Sequence, residues 1–99
     1  MNKAELTDKL CERTGLSARD ARAAMDAIFD PDPAIGLIAA ALVRGDKVAV
    51  SGFGTFEAKQ RKARTGRNPR TGTEIRIGPT VSASFRPGKA LKDAVRPND

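Results

Sequence analysis

The feature that most constrains this chain is a long hydrophilic segment in its second half. From Lys59 to Thr73 the only apolar residue is Ala63, so this segment cannot contribute to a hydrophobic core. Between Lys59 and Arg76 there are seven basic residues and one acid, whereas residues 1–58 contain seven basic residues and nine acids. The chain's net charge of +6 is therefore concentrated in one basic appendage on a nearly neutral body, which indicates a polyanionic partner.

A turn motif at the centre of this segment predicts that it folds back on itself as a β-hairpin arm. The sequence Asn68-Pro69-Arg70-Thr71-Gly72 is rich in residues that favour tight turns. Roughly seven residues per strand at about 3.3 Å each give an arm of ~23 Å, comparable with the diameter of a nucleic-acid duplex. A ribbon of this kind is marginally stable in water, so we expect it to move until it binds a ligand. Pro69 has two interpretations: it only sets the turn, or its flat apolar ring also wedges between base pairs.

The first 45 residues have the apolar period of helices. Asn2 is a candidate cap for a first helix that Gly15 ends, and Ser17 is a candidate cap for a second. The stretch Asp30-Pro31-Asp32-Pro33 interrupts the second helix, because a proline disfavours helical geometry in the residue before it. Asp32 and Pro33 then favour the start of a further helical piece, which Gly45 ends. The sequence predicts a helix, an elbow and another helix.

Beyond residue 45 the pattern changes to the alternation of strands. Residues 46–58 and 75–86 predict the antiparallel strands of a sheet, and residues 59–74 predict the arm that connects them. Residues 87–95 predict a short C-terminal helix, and Arg96–Asp99 a tail. The whole chain, residues 1–99, is expected to be a single α+β domain.

The composition argues against several function classes. The chain has no His and no Tyr, and Cys11 is its only cysteine, so no nucleophile–base pair or metal-ligand cluster can be assembled. We expect no enzymatic activity, no cofactor, no metal site and no small-molecule substrate. No apolar run approaches the ~20 residues of a membrane span, so no membrane association is expected. A lone cysteine is typical of a reducing compartment, which favours a cytoplasmic protein.

Several motifs across nearly the whole chain resemble the bacterial HU and integration-host-factor family of DNA-binding proteins. The arm tip is the most specific, and the motifs are Met1-Asn2-Lys3-Ala4-Glu5-Leu6, Gly52-Phe53-Gly54-Thr55-Phe56, Arg64-Thr65-Gly66-Arg67-Asn68-Pro69-Arg70-Thr71-Gly72 and Phe85-Arg86-Pro87-Gly88-Lys89-Ala90-Leu91-Lys92. The resemblance implies an α+β fold whose helical N-terminal half forms an intertwined dimer body. It also implies a three-stranded antiparallel sheet with a long protruding β-ribbon arm and a short C-terminal helix. A nucleoid-associated protein that bends double-stranded DNA through the minor groove is the implied function.

The resemblance also implies residue roles. Pro69 is expected to intercalate between base pairs, while Lys3, Lys89 and Lys92 are expected to hold flanking DNA or else to be ordinary solvated lysines. The other residues expected to contact DNA lie on the arm or directly after it: Lys59, Arg61, Arg64, Arg67, Asn68, Arg70, Thr71 and Arg76. The residues expected in the dimer core are apolar: Met25, Ile28, Phe29, Ile38, Leu42, Phe53, Phe56 and Phe85.

The chain departs from the family pattern at Asp30–Ile35, which are six extra residues within the second helix. This insertion either forms a local elbow on the flank of the dimer or changes the partner with which the chain dimerises. We expect a homodimer, with a heterodimer with a related chain as the alternative. Phe85-Arg86-Pro87-Gly88 keeps open a subunit with site preference, like integration host factor. A basic RNA-associated structural protein is a further alternative, which the hairpin character of the arm disfavours.

Overall fold

The computed structural model describes residues 1–96, so Pro97, Asn98 and Asp99 of the predicted tail lie outside the described residues. The chain divides into two compact units, and the boundary falls between Arg44 and Gly45. Within residues 1–96, no helix is long and apolar enough to cross a bilayer. The prediction of an α+β fold is confirmed, with helices in the first unit and an antiparallel sheet in the second.

The first unit consists of α1 (Lys3–Thr14), α2 (Ala18–Phe29) and α3 (Leu37–Val43). The Asn2 side chain accepts a 2.8 Å hydrogen bond from the backbone N–H of Glu5 and so caps α1. Ser17 caps α2 in the same way, because its hydroxyl oxygen accepts from the N–H of Asp20 at 3.1 Å. Both predicted helix starts are therefore confirmed.

The elbow between α2 and α3 differs from the prediction in where the next helix begins. Asp32 does not cap α3; its carbonyl accepts from the N–H groups of Ile35 at 2.9 Å and Gly36 at 2.8 Å, which closes one isolated turn. Gly36 is extended, with φ −82° and ψ 130°, and it is the residue that precedes α3 at Leu37. A Cβ atom on Gly36 would overlap the carbonyl oxygen of Asp30. Only a residue without a Cβ atom therefore fits at position 36, where the chain passes from the single turn into α3.

The second unit consists of five strands and one helix. Their bounds are β1 (Val48–Val50), β2 (Gly54–Arg61), β3 (Arg64–Arg67), β4 (Glu74–Ile77), β5 (Thr80–Pro87) and α4 (Lys89–Val95). β1, β2 and β5 form an antiparallel sheet in the order β1-β2-β5, while β3 and β4 pair as a separate two-stranded ribbon. This ribbon corresponds to the arm expected over residues 59–74, but its bounds differ, because residues 59–61 belong to β2 and residues 75–77 to β4.

The arm continues the β2–β5 ladder in the same register. The last pair of the ladder is Arg61 with Thr80, and the first pair of the arm is Arg64 with Ile77, so equal numbers of residues are skipped on both strands. Residues 62–63 and 78–79 form this interruption. Pro79 has no backbone N–H to donate to a ladder, which accounts for a break at this point.

The sheet has one apolar and one polar face because side chains alternate along each strand. Phe56 and Phe85 are directly opposed on β2 and β5, and their ring centroids are 4.8 Å apart. The ring of Phe53 lies 5.7 Å from that of Phe85, so three aromatic rings form one cluster. Glu57 and Lys59 alternate with these residues and lie on the polar face.

The buried apolar core is small. Among the described residues, the buried hydrophobic side chains are Ala21, Met25 and Ala41, and no phenylalanine is among them. Phe29 and Phe53 are each 48% exposed, although aromatic side chains usually bury most of their surface. A single chain therefore leaves uncovered much of the apolar surface that a stable fold of this size would bury.

Candidate nucleic-acid interface

The arm tip is a turn whose hydrogen bonds fix the position of Pro69. The N–H of Asn68 donates to the carbonyl of Thr73 at 2.9 Å, and the N–H of Gly72 donates to the carbonyl of Asn68 at 2.7 Å. The Asn68 side-chain oxygen also accepts from the N–H of Arg70 at 2.9 Å. Gly72 has φ 71°, a conformation that favours glycine. Pro69 consequently lies exposed at the end of the ribbon.

Two of the predicted DNA contacts also help to form this turn. Besides the role of Asn68, the Thr71 hydroxyl donates to the Thr73 hydroxyl at 2.9 Å and accepts from the Thr73 N–H at 3.3 Å. Such local side-chain bonds are typical of tight turns. Asn68 and Thr71 therefore have a structural role at the tip, whatever else they contact.

The two faces of the arm carry different side chains. Arg64, Ile75 and Ile77 lie on one face, since Arg64 pairs with Ile77 and Ile75 is two residues further along β4. Arg67 and Arg76 lie on the opposite face, where Arg67 pairs with Glu74. The arm thus brings basic side chains to both of its faces, and one face is otherwise apolar. All these arginines are exposed.

Further basic residues lie at the base of the arm. Arg61, Lys62 and Arg64 line a shallow depression at the ladder interruption, together with Gly78 and neighbouring residues. Lys59 and Arg61 are exposed on the polar face of β2. A positively charged strip therefore extends from the sheet to the tip.

The other predicted contacts are on helices. Lys89 and Lys92 are exposed on α4, whose start is attached to the β1–β2 turn. The N–H of Gly88 donates to the carbonyl of Phe53 at 2.8 Å. This bond positions both lysines at the end of the sheet from which the arm does not extend.

Lys3, on α1 of the first unit, differs from the other predicted contacts because its ammonium is paired. It donates to the carboxylate of Asp26 on α2 at 2.7 Å, with more than two fifths of each side chain exposed. This hydrogen bond raises the pKa of Lys3 above its usual value, and the charges of Asp26 and Asp30 act in the same direction. Lys3 is therefore a cation whose contact with any phosphate competes with Asp26.

One arrangement of charges was missed by the sequence analysis. Glu57 on β2 is only 7% exposed, and its carboxylate contacts Arg86 at 3.1 Å and Lys47 at 3.6 Å. Glu57 lies on a strand, and no role was predicted for it from the sequence. Its partners are ten and 29 residues away, so no local motif links the three. The one signal in the sequence was the alternation of apolar and polar side chains along β2, which places Glu57 on the polar face of the sheet.

Within residues 1–96, no group of three or more His, Cys, Asp and Glu side chains could hold a metal ion. The surface that can bind a ligand is instead the basic β3–β4 ribbon and its tip. An α+β fold with an exposed basic β-arm defines a class of proteins that bind a polyanion with a ribbon.

Comparison with known proteins specifies the class. The family described as bacterial DNA-binding protein matches residues 1–96. The chain is 51% identical over 96 residues to the DNA-binding protein HU of Geobacillus stearothermophilus, covering 97% of this chain and 100% of that protein. It is 50% identical over 95 residues to HU 1 of Bacillus subtilis, covering 96% and 97% respectively. The chain belongs to the HU family of bacterial DNA-binding proteins.

Solved structures agree with this assignment. A cocrystal structure of Anabaena HU with DNA has a TM-score of 0.83 and 39% sequence identity, covering 99% of this chain and 100% of that one. HU from Thermotoga maritima has a TM-score of 0.63 and 30% identity, covering 97% and 100%. The α+β fold is therefore shared with HU proteins.

Proposed function

We propose that this protein is an architectural, nucleoid-associated protein that binds duplex DNA through the minor groove with low sequence specificity and bends it. The observation that carries the proposal is the exposed Pro69 at the end of a ribbon that presents basic side chains on both faces. The HU–DNA complex among the similar structures supports DNA as the polyanion. In this proposal the two units act together as one DNA-binding domain spanning residues 1–99.

The arm supplies the contacts with the minor groove. Basic side chains neutralise phosphates and release counterions, which gives affinity without sequence preference. Arginines also favour a narrow minor groove, where the electrostatic potential is most negative. The isoleucines of the arm suit the groove floor because their side chains carry no charge to desolvate. The proposed contacts of the arm and its base are Lys59, Arg61, Arg64, Arg67, Asn68, Arg70, Thr71 and Arg76.

Pro69 is the proposed wedge between base pairs. It is exposed at the tip, it has no N–H whose desolvation would cost free energy, and the hydrogen bonds of Asn68 hold its backbone in place. Apolar wedges of this kind kink a duplex, as is established for minor-groove architectural proteins, HU among them. Lys3, Lys89 and Lys92 are the proposed contacts with the flanking DNA once it is bent.

The protein is proposed to act as a homodimer. α1 and α2 line an apolar depression with Leu6, Leu10, Met25, Ile28 and Phe29, which a second copy would cover. In the second unit the aromatic cluster is likewise incompletely buried, with Phe85 39% exposed. Burial of both surfaces would supply the hydrophobic core that a single chain lacks. The proposed dimer core is Met25, Ile28, Phe29, Ile38, Leu42, Phe53, Phe56 and Phe85.

The first test measures DNA bending. Energy transfer between dyes at the two ends of a short duplex should rise when the wild-type protein binds. Pro69→Ala should give a smaller rise at saturation while keeping most of the affinity, because the basic side chains of the arm remain. An unchanged bend would reduce Pro69 to a turn residue.

Competition experiments test the nature of the ligand. Unlabelled random duplex, selected duplex and structured RNA are compared as competitors for the labelled duplex. Random and selected DNA should compete within a few-fold of each other, since the minor groove has a degenerate code. A strong advantage for one selected duplex would favour a site-specific subunit, and preference for RNA would contradict the proposal.

A further inference from the structure

We propose that Glu57 is a positioning residue, whose buried carboxylate holds Lys47 and Arg86 on the polar face of the sheet so that both cations bind DNA phosphates. This inference rests on the proposed function, which it extends from the arm to the sheet. Neither Lys47 nor Arg86 was among the contacts expected from the sequence.

The burial of Glu57 is unusual for an acid on a strand. Its side chain is 10% exposed, although a buried charge is strongly destabilising unless it is paired. Arg86 and Lys47 meet this requirement with contacts of 3.1 and 3.6 Å to its two carboxylate oxygens. Because each oxygen has its own cation, the carboxylate fixes both side chains at once.

The strand register explains why these three residues meet. Glu57 pairs with Ser84 on β5, and Arg86 lies two residues further on the same face. On the other side of β2, Val48 pairs with Phe56, so Lys47 precedes β1 at the level of Glu57. The cations therefore reach Glu57 from both neighbouring strands.

The two cations lie above the carboxylate and face solvent. Their side chains are 68% and 69% exposed for Arg86 and Lys47, in contrast to the buried acid between them. A guanidinium has more N–H donors than one carboxylate oxygen can accept, so Arg86 retains donors for a phosphate. The group has a net charge of +1, and only its positive part is accessible to DNA.

The surroundings suit a phosphate backbone. On the same face, Lys59 and Arg61 continue along β2, and Ser82 and Ser84 supply hydroxyl groups on β5. The face therefore offers cations and hydrogen-bond donors, and its one acid is buried. The positive strip of the arm continues onto the sheet through Lys47 and Arg86.

A positioning role for Glu57 predicts a change in DNA affinity opposite to the one that net charge alone predicts. Glu57→Gln raises the net charge by one, which by itself would tighten DNA binding. If Glu57 positions the cations, the same substitution releases two flexible side chains and weakens binding, because ordering them on DNA then costs conformational entropy.

The experiment measures the affinity of the full-length protein for a random-sequence duplex over a series of salt concentrations. Glu57→Gln should weaken binding roughly three- to tenfold. It should also lower the salt slope, which is the steepness with which the logarithm of the affinity falls as the logarithm of the salt concentration rises, by about one for each phosphate that is no longer neutralised. The matched control is Glu12→Gln, which makes the same change at an exposed acid on α1, outside the proposed DNA contacts. The control should bind as tightly as the wild type or more tightly.

A second measurement separates positioning from a purely structural role. Arg86→Gln should weaken binding in the wild-type background and have a much smaller effect in the Glu57→Gln background, since Arg86 is already released there. Equal effects in the two backgrounds, or a Glu57→Gln protein that binds like Glu12→Gln, would overturn the inference.

Two further outcomes are distinguishable. If the wild type does not bind duplex DNA, the proposed function itself fails; if it binds and only Glu57→Gln is without effect, this inference alone fails. If circular dichroism shows that Glu57→Gln does not fold, the salt slopes of Lys47→Gln and Arg86→Gln test the inference instead. Each is expected to lower the salt slope by about one, and an unchanged slope in both rejects the role.

Discussion

Arg64 and Arg67 lie three residues apart on β3, yet their side chains are on opposite faces of the arm. A strand alternates its side chains, so an odd spacing always separates two residues in this way. The two arginines are therefore expected to make different contacts with DNA, and neither can replace the other.

For single residues, we predict that Arg64→Ala lowers the salt slope of DNA binding. The slope should fall by about one for each phosphate that the arginine neutralises in the wild type. Titration of a labelled duplex at several salt concentrations measures it. Lys9→Ala is the matched control, because Lys9 is an exposed cation on α1 that pairs with Glu12. A slope equal to that of the wild type would exclude Arg64 from the interface.

Single residues also show which part of the site is predictable from sequence. Pro69 and its neighbours were identifiable because turn chemistry is local and the tip motif spans a few consecutive residues. The pair formed by Lys3 and Asp26 and the group around Glu57 were not, since their members are far apart in sequence. Such pairs become visible only when helices and strands are packed.

At the level of elements, the turn between α2 and α3 is the main departure from the expected helix pattern. Both prolines were correctly interpreted as ending α2, which stops at Phe29. The new helix begins at Leu37 and not at Pro33, because the carbonyl of Asp32 closes a single turn and Gly36 then extends. The insertion Asp30–Ile35 is thus a compact turn with its own hydrogen bonds, consistent with a local elbow.

The turn leads to a prediction about Gly36. Gly36→Ala should lower the free energy of unfolding by about 1–3 kcal/mol, because a Cβ atom would overlap the carbonyl oxygen of Asp30 and the backbone must move. Urea unfolding monitored by circular dichroism, at one fixed protein concentration, gives this quantity.

Gly78→Ala is the control for this substitution. A Cβ atom added at Gly78 would have no atom within 4 Å. The free energy of unfolding of this variant should therefore be unchanged or slightly raised. If both variants are equally stable, the close approach at Gly36 has no energetic consequence.

On the scale of the whole molecule, the apolar surface that a single chain leaves exposed is the dominant fact. Ile35, Leu37 and Val43 are all more than half exposed in the first unit, in addition to Phe29. A second copy that covered these side chains and the apolar depression of α1 and α2 would bury surface that one chain leaves in water. Folding and dimerisation are therefore expected to be coupled.

The prediction that follows is a dependence of stability on protein concentration. For a dimer whose subunits unfold as they separate, mass action requires Tm to rise with concentration. Differential scanning calorimetry over a hundredfold range of concentration should show this rise. A constant Tm, together with the mass of one chain in sedimentation, would contradict the dimer.

Phe29→Ala sharpens the same test. If a partner buries Phe29, the substitution should cost about 3 kcal/mol, whereas in a monomer its 48% exposed ring would contribute far less. Val95→Ala is the matched control, because Val95 is 75% exposed on α4 and is not part of the proposed dimer core. Similar small losses of stability in both variants would indicate that Phe29 stays exposed.

The sequence by itself determined the helix caps at Asn2 and Ser17, the alternation of the strands and the hairpin tip at Asn68–Gly72. These features depend on residues within a few positions of one another, whose conformational preferences act before any packing. Only the tertiary structure decided that Gly36 precedes α3, that the arm shares the register of β2 and β5, and that Glu57 is buried between Lys47 and Arg86. These depend on close approach between distant segments, where backbone sterics and the need to pair a buried charge outweigh local preference.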